Sequence, residues 1–224
     1  ILKPFIVTTQ EDLDKLLNNI MCFKDIYKPV AVDTETTDLN PFRAELVGLG
    51  FCWGTNVDDI AYVPIGHKIN DSINENDNFN QLSLEKVLST LSGWLRDPEY
   101  PKVLQNTKYD RLVLLRHGID LNGVVLDTLL ADYVRDANAK HSLEMMSIRE
   151  FGFTPTSYND IVKKGSNFAD VDINQASIYC GMDVFLTRKL SFLLISKIEK
   201  KGVELLDLLK NIELPLEKVL SDME

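Results

Sequence analysis

Pro29-Val30-Ala31-Val32-Asp33-Thr34-Glu35-Thr36-Thr37-Asp38-Leu39 opens on an apolar run and then turns acidic. Val30-Ala31-Val32 reads as a buried strand. On extended chain, Asp33 and Glu35 lie two residues apart and so share one face. Neighbouring carboxylates repel unless a cation joins them or one keeps its proton. A solvated strand end is the plain alternative for an isolated pair of this kind.

Outward from this stretch the apolar pattern switches between periods of 2 and 3.6. Phe5-Ile6-Val7 reads as a short strand, and Thr9 then caps a helix with Leu13, Leu16, Leu17 and Ile20 on one face. Leu46 to Phe51 and Ile60 to Val63 read as strands joined by a turn at Asn56-Val57-Asp58-Asp59. From His67 to Gln81 the composition becomes Asn-, Asp- and Ser-rich, which predicts a surface loop. Beyond it, a helix over Ser83 to Leu95, a short strand at Val103-Leu104, a helix from Tyr109 to Arg116 stopped by Gly118, and a strand at Val124-Val125-Leu126 alternate. Asp127 reads as a cap, and helices follow over 128–136, 142–151, 158–164 and from Asp172 toward Lys201. A last helix starts near Glu204, and Pro215 is expected to kink it. Early strands followed by helix-strand alternation predict an α/β fold, with a mixed sheet carrying helices on both faces.

The chain has 224 residues, of which 45% are hydrophobic and 26% charged, enough for one ordinary core without disulfides. No apolar run is long enough for a membrane span, so no membrane partner is expected. The opening Ile-Leu-Lys-Pro-Phe carries no charged-then-apolar leader, so no secretory signal is expected. Cys22, Cys52 and Cys180 are odd in number and far apart, which argues for a reducing compartment and against structural zinc. Acids outnumber bases 34 to 24, for a net charge of −10. Bulk electrostatics therefore cannot hold duplex DNA, and a nucleic-acid substrate needs a local site, with divalent cations supplying positive charge.

Two further acids stand out by position. Asp110 falls in Gln105-Asn106-Thr107-Lys108-Tyr109-Asp110, inside a first helical turn, where it at least complements the helix dipole. Asp183 sits in the otherwise apolar Ile178-Tyr179-Cys180-Gly181-Met182-Asp183-Val184-Phe185-Leu186. Tyr179 is four residues earlier, on the same helical face, which Leu186 and Leu190 continue inward. An unpaired carboxylate there would be costly, and a core Tyr-Asp hydrogen bond is the structural alternative. Gly181 in mid-helix points to a close approach by another group.

Taken in order, D-x-E, N-x-x-Y-D and Y-x-x-x-D resemble the DEDD superfamily of 3′–5′ exonucleases in its tyrosine subclass. The histidine subclass would place His where this chain has Ile178. Asp33-Thr34-Glu35-Thr36-Thr37-Asp38-Leu39 with Leu46-Val47-Gly48-Leu49 is similar to the first exonuclease motif of family A DNA polymerases of the bacterial polymerase I type. Gln105 to Asp110 is similar to the second motif, and Asn211-Ile212-Glu213-Leu214-Pro215-Leu216 resembles the segment entering the polymerase thumb.

The resemblance implies a ribonuclease H-like fold with a five-stranded mixed sheet. It also implies an exonuclease domain over 1–202, with 203–224 starting a helical segment that is cut from a longer chain. It assigns two divalent ions, magnesium or manganese or zinc in its place. Asp33 would bridge both, Glu35 and Asp183 would complete the first site, Asp110 would hold the second through water, and Tyr179 would orient the attacking water together with Glu35. A phenol with pKa near 10 is an aligner rather than a base. For the substrate, Leu39 is either an apolar wedge between terminal bases or a core residue, and Tyr158 either stacks on the terminal base or is a half-buried loop aromatic. Gln105 and Asn106 reach the sugar or phosphate, or Asn106 merely satisfies a turn.

The implied activity is removal of 5′-mononucleotides from a single-stranded or frayed 3′ DNA end. The implied partners are that DNA end and a polymerase domain of the same chain, acting as a monomer in a bacterial cytoplasm, at the nucleoid, or in an organelle. RNA trimming of the ribonuclease D type and a non-catalytic structural module are the competing readings.

Overall fold

Strict alternation along the central strands divides the molecule into two apolar layers. The computed structural model describes residues 2–68 and 81–224. The expected surface loop falls largely on residues 69–80, outside the described residues.

Strands β1 (Phe5–Ile6), β2 (Val30–Thr36), β3 (Leu46–Cys52), β4 (Ile60–Pro64), β5 (Lys102–Leu104) and β6 (Val124–Asp127) form one sheet in the order β1-β4-β3-β2-β5-β6. The sheet has six strands, not the five expected, because the two-residue β1 adds to the outer edge of β4 in parallel, Phe5 opposite Ala61. β2, β3 and β4 run antiparallel to their neighbours in this trio, and β2, β5 and β6 pair in parallel. The result is the mixed α/β sheet that the patterning predicts.

Val30 and Val32 point to one face and Ala31 to the other, as period 2 demands. The first face packs Leu49, Phe51, Ala61 and Val63 under Leu13, Leu16 and Ile20 of α1 (Gln10–Met21) and Val87, Leu91 and Leu95 of α2 (Leu84–Arg96). On the second face Ala31, Cys52, Ile60, Val103 and Leu126 lie under Val184, Leu190, Leu194 and Ile198 of α7 (Ile173–Lys201), joined by Ala131 of α4 (Thr128–Arg135) and Met146 of α5 (Leu143–Phe151). Helix α3 (Thr107–Arg116) leaves the end of β5 and adds Val113 and Leu114 to the first layer.

Local chemistry sets the helix ends. Thr9 and Asp12 cap α1 reciprocally, and Ser83, Ser142 and Asp172 accept first-turn N–H groups of α2, α5 and α7. The helix expected over 158–164 is only the short α6 (Tyr158–Ile161), since Val162 returns to extended backbone. Pro215 stands at the second residue of the last helix, just after a change of helix type. Helix α8 (Val203–Leu208) passes into a π turn at Leu209–Glu213 before α9 (Leu214–Met223). Proline lacks the N–H that would close the ordinary ladder, and widening the preceding turn accommodates that loss.

The approach predicted at Gly181 is also present. A Cβ there would lie 2.5 Å from Pro4 Cγ, so the N-terminal segment crosses α7 at this glycine. No helix among the described residues is long and apolar enough to cross a membrane.

Candidate active site

Asp33 and Glu35 alternate with the first layer's residues on β2 and therefore face α7, the helix that carries Tyr179 and Asp183. Register explains the room they have. Asp33 is opposite Gly50 and Glu35 opposite Gly48 on β3, and Gly50 is in turn opposite Tyr62 on β4. A Cβ on Gly50 would run into Cys180 Sγ, and one on Gly48 into the Tyr62 hydroxyl. Two glycines thus open a trough in the sheet into which Cys180 and Tyr62 fit beside the acids.

Asp110 arrives from the other side. Thr34 donates to its Oδ1 from both the backbone N–H at 3.2 Å and the hydroxyl at 2.6 Å, locking α3 to the strand between the two acids. Asp110 and Glu35 are buried at 2% and 7% exposure, while Asp33, Asp183 and Tyr179 are half-buried.

Burial dominates the electrostatics. It pushes the Asp33 carboxyl up to about 7 against opposing hydrogen bonds from Thr34 and Cys180. Burial, then the charges of Asp33, Asp183 and Asp110, hold Glu35 well above the usual carboxylate range. Asp110 and Asp183 are raised by burial and then by the Asp33 charge, and the Tyr179 hydroxyl opposes the shift at Asp183. The Tyr179 phenol is itself pushed far up, first by burial and then by the charges of Asp183, Glu35 and Asp33, so it stays a hydrogen-bond donor at neutral pH. These mutual effects place all four acids in one electrostatic site.

The donor set suits a divalent cation. Among the described residues Glu35 Oε1 is buried without a hydrogen-bond partner, an arrangement that is costly unless a ligand completes it. Among the described residues, Asp33, Glu35 and Cys180 each present a donor atom within 4.8 Å of the others. Asp110 and Asp183 flank this trio. Hard carboxylate oxygens are the ligands that magnesium and manganese prefer.

The substrate candidates are arranged unevenly. Leu39 is 93% exposed, which excludes the core reading, and Tyr158 is 41% exposed with its ring stacked on buried Phe168 at 6.4 Å. Phe168 also contacts the Tyr179 ring at 5.8 Å, so the two tyrosines share one aromatic support. Gln105 is committed to the protein: its Nε2 donates to the His141 carbonyl at 3.0 Å and its Oε1 accepts from Thr128 at 2.5 Å. Asn106 is exposed and left-handed at φ 64°, a turn conformation, but its side chain makes no cap hydrogen bond to the backbone of α3. Sequence reasoning missed Thr34, Tyr62, Cys180 and the second role of Asp127, whose carboxylate accepts from Asn106 and Thr107 as well as from Leu129 and Leu130. The alternating Gly48 and Gly50 were the available signal for the trough.

With this geometry in place, comparison with known proteins is decisive. The family model of the 3′–5′ exonuclease of DNA polymerase A matches residues 4–201. The chain belongs to this family. DNA polymerase I of Synechocystis is 41% identical to it over 228 residues, covering 100% of this chain and 22% of that protein. The chain therefore spans about a fifth of the length of such curated relatives. Among solved structures, Escherichia coli RNase D, an exoribonuclease involved in structured RNA processing, superposes with TM-score 0.71 at 17% identity, over 98% of this chain and 51% of that one. The polymerase domain of Pol1 from M. smegmatis, in complex with DNA primer-template and dNTP, gives TM-score 0.69 at 19% identity over 97% and 31%. At these identities the two likenesses concern the fold, and both are consistent with a ribonuclease H-like 3′–5′ exonuclease domain. The family implies divalent metal ions, and a carboxylate group able to receive one is present.

Proposed function

We propose that this chain is the proofreading part of a longer family A DNA polymerase, hydrolysing the last phosphodiester of a single-stranded or frayed 3′ DNA end and releasing 5′-mononucleotides. The observation that carries this reading is the grouping of Asp33 and Glu35 on one strand with Asp183 beside Tyr179, and of Asp110 tied to Thr34 between them, within a chain that belongs to the 3′–5′ exonuclease family.

Asp33, Glu35 and Asp183 would hold one divalent ion, and Asp33 with Asp110 a second. When bound, such a pair activates water, neutralises the phosphate and eases departure of the 3′ oxygen. The protein's own groups do the rest. Tyr179, kept protonated, donates from its hydroxyl and, with Glu35, fixes the direction of the attacking water. Thr34 holds Asp110 against the strand, so the acids keep their spacing. Leu39 offers an exposed apolar wedge, and Tyr158 a stacking face worth roughly 1–3 kcal/mol per base whatever the base. Asn106 stands free to meet a sugar or phosphate. Gln105 acts indirectly, bracing the Asn106 turn against His141 and Thr128.

In this reading residues 1–202 form the exonuclease domain, and 203–224 lead toward the polymerase domain of the same chain, in a bacterial cytoplasm. The test is magnesium- or manganese-dependent release of mononucleotides from a 3′-mismatched primer, run beside single-stranded DNA and RNA. Release that prefers DNA and stops with chelator supports the proposal. Preference for RNA favours trimming of the ribonuclease D kind, and no release at all favours a structural module.

A further inference from the structure

Cys180 has no part in the chemistry above, yet it lies at the bottom of the site. It is fully buried on α7, between Tyr179 and Asp183, and its thiol faces Asp33 Oδ2 at 3.9 Å. Together with Glu35 it makes the described residues' one tight group of metal-type donors, all within 4.8 Å. A second observation concerns the carboxylate: among the described residues Glu35 Oε1 is enclosed, with its residue only 7% exposed, and has no hydrogen-bond partner. One donor of the trio is thus already waiting for a ligand.

Spacing decides what kind of ligand. Donors around a tetrahedral zinc, at about 2.0–2.3 Å from the ion, stand roughly 3.3–3.8 Å from one another. The Cys180–Asp33 separation is close to that, and the full trio needs a contraction of only about 1 Å. An octahedral, oxygen-seeking magnesium gains nothing from sulfur. A soft or borderline cation does, because thiolate is the ligand it prefers.

We infer that Cys180 gives this site a second metal mode, in which Asp33, Glu35 and Cys180 together capture a thiophilic divalent cation such as zinc or cadmium. The inference rests on reading the carboxylates as a metal cage and adds to it a preference for the ion. Capture forms a sulfur–metal bond as the Cys180 thiol gives up its proton to solvent. With magnesium the same thiol keeps its proton and serves as a hydrogen-bond donor to Asp33. The glycine at position 50, whose missing Cβ makes room for the sulfur, permits both modes.

The experiment is a cadmium titration of the whole chain, read as the ultraviolet sulfur-to-cadmium charge-transfer absorption, in a Cys22→Ser background that removes the exposed thiol. The expected result is a band that saturates at one ion per chain and is lost in Cys180→Ala and Cys180→Ser but kept in Cys52→Ala. Cadmium affinity measured by competition should fall about 10–100-fold in Cys180→Ala. Magnesium affinity should stay within about twofold, since sulfur is not its ligand. No band, or a band that survives Cys180→Ala, overturns the inference. Folding of each variant is checked by circular dichroism, and Cys180→Ser preserves the side-chain shape should the alanine fail to fold. Mononucleotide release with magnesium is measured alongside. Release without the band leaves the nuclease reading intact and rejects the soft site, whereas the band without release does the reverse.

Discussion

Arg111 grips Glu217 with a two-pronged ion pair, Nε to Oε1 and Nη2 to Oε2, both 2.9 Å, with the side chains at 5% and 6% exposure. Arg111 follows Asp110 on α3, so the C-terminal helix α9 is fastened to the helix that carries Asp110. Lys108 with Glu224 and Lys218 with Asp120 add exposed pairs along the same seam.

Removing one partner of a buried pair leaves the other charge unpaired, at a cost of about 3–5 kcal/mol. Glu217→Ala should therefore lower the denaturant midpoint substantially, and Lys218→Ala hardly at all, since exposed pairs contribute about 0–1 kcal/mol. Equilibrium unfolding of both variants checks this. An equal effect of the two would contradict the buried clamp.

Asp127 serves two helices at once. Its carboxylate accepts from Asn106 and Thr107 at the start of α3 and from Leu129 and Leu130 at the start of α4, with distances of 2.7 to 3.4 Å. Each lost cap is worth about 0.5–2 kcal/mol, so Asp127→Ala should cost about 1–4 kcal/mol. It should also slow mononucleotide release, because the loosened turn precedes Asp110. Unfolding and cleavage assays on one preparation test both expectations.

Stability without metal should depend on pH in a definite direction. Asp33 titrates near 7 when folded against 3.8 ordinarily, so the folded chain holds a proton that the unfolded chain releases. The resulting stability is complete below about pH 4 and is lost as pH rises through about 7. Glu35, Asp110 and Asp183 shift in the same direction. Magnesium or manganese favours the ionised forms, so the rise in melting temperature that it produces should be larger at pH 8 than at pH 5. Thermal melts at the two pH values, with metal and with chelator, measure it; a larger rise at pH 5 would contradict the site's electrostatics.

Tyr179→Phe removes one hydroxyl and no carboxylate. The expected loss is in kcat, roughly 10–100-fold, the scale of a misdirected reactant. Metal-induced stabilisation should be unchanged. Single-turnover cleavage beside metal-dependent melting separates the two, and lost metal stabilisation would contradict an aligning role.

How far the sequence could be read follows from the range of each interaction. Thr9, Ser83 and Asp172 act on residues two or three positions away, and the strands near 30 and 46 advertise themselves as short continuous apolar runs. The acids stand out because they interrupt apolar sequence, at the end of a strand and inside a helix. The hydrogen bonds of Gln105 were not legible because its partners, Thr128 and His141, come from another part of the chain. Asp127 was half legible: its local cap follows from position, while its hold on Thr107 spans 20 residues. Cys180 gave no local sign at all. Its meaning depends on register, which sets Gly50 opposite Asp33. The strand at Phe5–Ile6 is the one by which the sheet exceeds the five that the resemblance implied, although its apolar run is visible in the sequence.

In the function proposed above, Asp33 and its companions serve chemistry and not stability. The most direct measurement is the Asp33→Ala variant, with single-turnover mononucleotide release from a mismatched primer and melting temperature in chelator taken together. Release should fall by about a thousandfold or more, as loss of a principal electrostatic group implies, with melting at or above the parent's value. Cleavage near the parent rate in a folded Asp33→Ala protein would contradict it.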